Sequence, residues 1–331
     1  MPFSSNSGPR AKPRRPPSST KTTSIYGNDP AEYPLKAIRS HRGASNGFLP
    51  ACFAAALAAV ILCAGCGDDD ANGPAGSAAD IVVNPYSSSV IYYNTFDDAP
   101  EGLYTASSFA DDWGAAWSEG IAEGRASIVG GADALSGKSL RVSYPKGGYD
   151  TSGSGVGWVK GFTSHDDLYC SYAIRFSENF EFVKGGKMPG LAGGTGNTGG
   201  DKPDGSDGWS ARIMWRSGGA LVQYVYHPDQ PTIYGEDFQW NAPALTPGIW
   251  YRVETRIAMN SPGRHDGIIQ SWLNGQQVLD VQNIRFRDVG SFAIDALRFE
   301  TFFGGGDASW APGLDVSADF DIIISTDPIT H

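Results

Sequence analysis

From Val90 to Ile324 the sequence is a succession of short runs of five to ten residues that alternate apolar and polar side chains: 90–96, 139–144, 167–176, 211–216, 220–226, 250–257, 267–273, 276–280, 293–302 and 316–324. Gly, Pro and Asn punctuate nearly all of them. A strand shows alternate residues to opposite faces, so runs of this kind bury one face and wet the other. Many short strands with turns between them predict an all-β sandwich of two antiparallel sheets. The 43 Gly, 21 Pro and 12% aromatic residues of the 331-residue chain suit one large β domain with extra segments better than two domains. Asn274-Gly275 marks a hairpin. Two helix-like scraps, around 109–121 and 132–135, are expected to be short surface turns.

One stretch, Lys187 to Tyr226, gathers cationic, hydroxyl and phenolic side chains. Read with a period of two, Ala211, Ile213 and Trp215 face the core, while Ser210, Arg212, Met214 and Arg216 face the other way. Tyr224 and Tyr226 share a face. A three-residue loop at 217–219 pairs Arg216 with Ala220, Met214 with Val222, Arg212 with Tyr224 and Ser210 with Tyr226, giving a single polar patch on a solvent-facing groove. A two-residue Gly-Gly turn would reverse every side chain of the second strand. The three-residue loop is the register expected here.

At these residues the chain resembles polysaccharide lyase family 14, the alginate and glucuronan lyases of β-jelly-roll fold. The resemblance is carried by Lys187 in KMPG, Ser210-x-Arg212 followed by an apolar strand with Trp215, Tyr224-x-Tyr226, and FFGGGDASWAP from Phe302. In that order and spacing they cover nearly all of 90–325. The resemblance implies a jelly-roll domain over 89–331 and places functional residues at Lys187, Ser210, Arg212, Tyr224 and Tyr226. Some family members carry a disulfide near the active-site loop; this chain has no cysteine there.

Upstream, residues 1–47 are rich in Pro, Ser, Arg and Lys and read as a disordered leader. Residues 48–65 are apolar and uncharged, follow Arg39 and Arg42, and end at Ala64-Gly65-Cys66. This resembles a bacterial lipobox, with Cys63 where Leu is usual. The expectation is an exported cell-envelope lipoprotein or secreted protein: signal at 48–66, lipid on Cys66 anchoring it to the membrane, and a tether at 67–88. An uncleaved anchor helix is the alternative. Of the four cysteines that leaves Cys170, inside DLYCSYAIRF, as a buried inert thiol, so no disulfide forms within the domain. No metal-ligand spacing or phosphate loop occurs, and no cofactor is expected.

Beyond residue 65 the chain holds 17 basic and 34 acidic residues, a net charge of −17. Such a chain is a poor partner for nucleic acid. A polyanionic substrate needs a locally basic site, and Lys184, Lys187, Lys202, Arg212 and Arg216 fall within the one stretch, although Lys184 and Lys202 read as ordinary surface charges. The reading is a monomeric lyase that cleaves a 4-linked acidic polysaccharide by β-elimination. Arg212 would neutralise the uronate carboxylate with Lys187 in support or as base, and a phenol with its pKa lowered by nearby cations would carry the proton, oriented by Ser210. Arg216, His227 and Trp310 are candidate substrate contacts; His227 faces the opposite side of its strand in this register and is also a reserve proton carrier. Arg252, Glu254 and Arg256 read as a cross-strand charge ladder. The long loop 192–208 reads as a lid. Two other classes compete: a non-catalytic glycan-binding surface lipoprotein, and a glycoside hydrolase. The hydrolase needs two carboxylates flanking the bond, and no Glu-x-Asp-x-x-Glu strand occurs.

Overall fold

The computed structural model describes residues 87–329; the expected leader, the signal with Cys66, and all but the last two residues of the tether lie outside them. Fifteen strands occur among the described residues: β1 (Val90–Asn94), β2 (Gly102–Leu103), β3 (Ala126–Gly130), β4 (Lys138–Tyr144), β5 (Val156–His165), β6 (Asp167–Phe176), β7 (Gly185–Gly194), β8 (Gly208–Arg216), β9 (Leu221–Tyr226), β10 (Glu236–Gln239), β11 (Trp250–Ala258), β12 (Gly267–Leu273), β13 (Gln276–Ile284), β14 (Ile294–Phe303) and β15 (Val316–Ser325). They form the expected sandwich, a jelly roll of two antiparallel sheets. One sheet runs β13-β12-β11-β6-β15-β4-β3-β2, with β1 on the later part of β15; the other runs β10-β9-β8-β7-β14-β5.

Period-two alternation decides which side chains enter the space between the sheets. Ala211, Ile213 and Trp215 of β8 meet Leu140, Val142 and Tyr144 of β4, Phe176 of β6, and Phe299 and Phe303 of β14 in one core. Its aromatic rings interlock: Trp158 stacks on Phe299 at 4.6 Å, and Trp215 meets Tyr144, Phe176, Phe180 and Phe303 at 5.3–6.0 Å. Offset and edge contacts of this kind add about 0.5–1.5 kcal/mol per pair to area burial. Cys170 lies in this core, where burial pushes its thiol up to about 12, so it is inert.

The helix signal is displaced from the expected segment. α1 spans Ala106–Trp113, because the Thr105 side chain caps its start by accepting from Ser108 N and Gly114, at φ 57, ends it. Phe109 and Trp113 point into the core. The second scrap falls on a 3₁₀ turn at Gly131–Asp133. At the expected hairpin, Asn274 and Gly275 have φ of 50° and 79° and join β12 to β13.

Candidate active site

The face of the six-stranded sheet that points away from the core carries the candidate site residues of β7, β8 and β9. β8 and β9 are joined by Ser217–Gly219, with Gly218 at φ 73, and Ser210 opposes Tyr226, Arg212 opposes Tyr224, and Met214 opposes Val222. This is the register the three-residue loop predicts. Met214, Val222, Tyr224 and Tyr226 form a cluster separate from the core. On the next strand, β7, Lys187 opposes Met214, and Phe302 of β14 opposes Lys187 from the other side.

Lys187 is the electrostatic centre of this face. Its Nζ lies 4.3 Å from the centre of the Tyr224 ring and 3.0 Å from Met214 Sδ. Burial, and then the neighbouring Arg212 and Arg216 guanidinium groups, hold the amine well below its ordinary pKa; Glu300 and Asp237 act in the opposite direction. Arg212 donates from Nη1 to Glu300 Oε2 at 2.7 Å, and Arg298 grips the same carboxylate from Nη2 to Oε1 at 2.7 Å. Burial alone would raise the Glu300 carboxyl, yet the two arginines keep it below the usual carboxylate value. Arg216 forms its own pair with Asp237 of β10.

Both phenol oxygens accept backbone N–H groups from loops. Gly200 N donates to Tyr226 Oη at 3.1 Å, and Gly235 N donates to Tyr224 Oη at 3.2 Å. The Tyr224 phenol nevertheless has its pKa raised, mainly by burial and secondly by Tyr226, with Arg212 and Gly235 only partly offsetting them. The expected lowering by cations does not hold for this residue, because desolvation outweighs them.

Of the 192–208 stretch, residues 192–194 belong to β7 and 208 to β8, and the loop 195–207 between them lies over the face, which corrects two further expectations. The groove is not solvent-facing: Lys187, Arg212, Tyr224 and Tyr226 are 9%, 3%, 8% and 1% exposed. Nor does Ser210 orient a tyrosine, since its Oγ donates to Asn197 O at 2.6 Å and so fastens the loop. Asn197 Nδ2 donates to Asp207 Oδ2 at 2.8 Å, Arg298 Nη1 to Gly196 O at 3.0 Å, and Lys202 Nζ to Gln230 O at 2.7 Å. A hydrogen-bond network thus orders the loop where no disulfide is present.

His227 is not brought to the Lys187 group. It turns to the other side, where Nε2 meets Glu236 at 2.9 Å and the ring lines a cavity of about 280 Å³ with Asp229, His265 and Arg285. Trp310 stands on the turn after β14, with Lys184 Nζ 5.8 Å over its ring, while Phe303 is core. Glu300 and Arg298 escape the sequence reading. Their alternation in LRFETFF puts them on the outward face, but nothing local says that β14 lies beside β7. Among the described residues no three His, Cys, Asp or Glu side chains converge as a metal-binding set.

The sequence profile of polysaccharide lyase 14 matches residues 132–323. The chain belongs to polysaccharide lyase family 14. Solved lyases share this fold. The alginate lyase Aly36B superposes with a TM-score of 0.64 at 26% identity, covering 73% of this chain and 99% of that one. A variant of Aly36B with a lysine and a tyrosine changed to alanine, in complex with alginate tetrasaccharide, matches equally well, at 0.64 and 26% over 73% and 99% of the two chains. The marine family 14 alginate lyase of Aplysia kurodai follows at 0.61 and 25% identity over 72% and 98% of the two chains. No curated protein sequence matches this family 14 chain.

Proposed function

We propose that this family 14 protein cleaves a 4-linked polyuronate such as alginate or glucuronan by β-elimination. The observation that carries this reading is the Lys187 amine, desolvated among guanidinium groups and seated on the Tyr224 ring beside a second phenol. A neutral amine is a competent base at mild pH. In the proposed step it takes the C5 proton of the uronate. The electron pair forms the C4–C5 double bond, the C4–O4 bond breaks, and the Tyr226 phenol gives its proton to O4. The Lys187 ammonium then returns a proton to Tyr226 through solvent, which resets the site. Charge that grows on the substrate carboxylate is met by Arg212 and Arg216.

Local charge fits a polyanion despite the acidic chain. Beside the neutral Lys187 amine, Arg212, Arg216 and Arg298 stand against Glu300 and Asp237, three cations to two anions. Both carboxylates are committed to guanidinium groups, which leaves no carboxylate pair of the kind a glycoside hydrolase uses. Complexes of the related Aly36B with alginate oligosaccharides support the same substrate class. Purified protein given polymannuronate, polyguluronate and glucuronan is expected to release product with the ultraviolet absorbance of an unsaturated uronate from at least one of them. Binding without that absorbance on every polymer would leave a glycan-binding protein instead.

We also propose that residues 48–66 direct export and that Cys66 carries the lipid anchor, on the apolar run that ends in Ala64-Gly65-Cys66. Radiolabelled fatty acid should enter the wild-type chain and not Cys66→Ser; equal labelling of both would dismiss the anchor.

A further inference from the structure

We infer that Glu300, clamped by Arg298, is a positioning residue for the elimination proposed above: it orients the Arg212 guanidinium beneath the covering loop and sets the field in which Lys187 exchanges its proton. The inference rests on that lyase chemistry.

The geometry is specific. Glu300 and Arg298 on β14 and Arg212 on β8 are separated by β7, yet Arg212 and Glu300 meet at 2.7 Å. They reach each other because the β7 residue opposite both Arg212 and Arg298 is Gly190, next to a register shift. A Cβ there would lie 2.2 Å from Ala211 O and 2.5 Å from Arg212 Cα, so any side chain at this position would collide with the β8 backbone. Glu300 Oε2 takes Arg212 Nη1 and, at 3.2 Å, Arg298 Nε, while Oε1 takes Arg298 Nη2. Arg212 Nε has no hydrogen-bond partner, which leaves the Glu300 bond to orient the guanidinium plane. Through Nη1 to Gly196 O, Arg298 ties the same carboxylate to the loop that holds Tyr226.

A buried ion cluster is a weak device for stability alone, since well-packed apolar residues of similar volume commonly serve as well. Here it has an electrostatic effect on the base. The charged and titratable groups facing Lys187 are Arg212 and Arg216 from β8, Tyr224 from β9, Asp237 from β10 and Glu300 from β14. Asp237 is taken by Arg216, so Glu300 is the counter-charge to Arg212. Loss of its charge leaves Lys187 facing less compensated cations, and the ammonium form is disfavoured further.

The test is Glu300→Gln beside Glu300→Asp. In Glu300→Gln kcat is expected to fall about 100-fold, the size of effect seen when one oriented donor is lost, with KM unchanged or lower because the site becomes more positive. The acid limb of the pH profile should move to lower pH. Glu300→Asp keeps the charge and should keep the wild-type limb. A structural role would reduce the active fraction without moving the limb. The titration of Lys187, followed by NMR on protein with carbon-13-labelled lysine, should shift the same way without substrate. An inactive wild type would therefore overturn the proposed reaction, whereas a Lys187 titration unmoved by Glu300→Gln would overturn this inference. If Glu300→Gln does not fold, Arg298→Gln reports on the same clamp: it leaves the Glu300 charge less compensated, so the acid limb is expected to move to higher pH, and an unmoved limb would reject the inference.

Discussion

Replacing Lys187 with methionine is expected to lower turnover on polyuronate by about 10³-fold, within the range that general bases contribute, while raising thermal stability. The two effects share one cause. The amine is buried, contacts a thioether and a phenol ring, and faces Arg212 and Arg216. Desolvation and like charge both penalise its protonated form in the folded state. Methionine fills the volume of the lysine stem without the charge, so no cavity opens. Removing the penalty should stabilise by on the order of 2 kcal/mol, which for a domain of this size is about 4–8 °C in Tm. The pH dependence has a defined sign. Between the lowered folded pKa of Lys187 and the ordinary lysine value of about 10.4, the unfolded chain binds the extra proton, so wild-type stability gains from this group as pH rises. Below the folded pKa the full penalty remains. The advantage of Lys187→Met should accordingly be largest at low pH and vanish near pH ~10. Calorimetry at several pH values alongside initial rates checks this; a variant that melts lower and still turns over would remove Lys187 from the base role.

Tyr226→Phe is expected to reduce kcat by about 10²-fold or more, as loss of a general acid does. The substitution removes one oxygen and keeps the ring, which packs at 5.6 Å against Tyr224, so the outer cluster survives. It also strands the Gly200 N–H that the phenol accepts. An unpaired amide weakens the loop closure by about 1–3 kcal/mol, and that part belongs in KM. Proton donation to O4 belongs in kcat. Tyr224→Phe loses the comparable bond to Gly235 but, in the proposed step, no proton transfer, and should drop only about tenfold. Steady-state kinetics on the three proteins decide between the roles. A Tyr226→Phe enzyme with raised KM and wild-type kcat would make the phenol a loop anchor and move the donor to Tyr224.

Where alternation is intact, the fold and the arrangement of the candidate site residues are legible. SARIMWR and LVQYVY, with three turn residues between them, give the pairing of Arg212 with Tyr224, because a one-residue slip would put Tyr224 and Tyr226 on the face opposite Arg212. β6 and β11 to β15 are likewise visible as alternating runs. β7 was not, and the reason is steric. Its sequence GGKMPGLAGG shows no two-residue rhythm, since Gly186 abuts the Trp215 ring and Gly193 abuts Ala293 O, with no room for a Cβ. Close approach of neighbouring strands removed the side chains that would have announced a strand. Glu300 was missed for a related reason. Its partner lies 88 positions away across that strand, a distance no local pattern reports.

The contacts that the two covering loops make with the phenols are main-chain amides, of Gly200 and Gly235. A peptide N–H is the same in every residue, so these contacts do not depend on what the loops display. Backbone shape constrains only a few positions: Gly200 sits at φ 92°, and a Cβ at Gly235 would press on both tyrosine rings. Ile233 and Tyr234 beside them are more than half exposed. Mutation can therefore rewrite the outward side chains of these loops while the phenols underneath stay as they are; in the proposed lyase, that would change which polymer chains are accepted without changing the groups assigned to proton transfer.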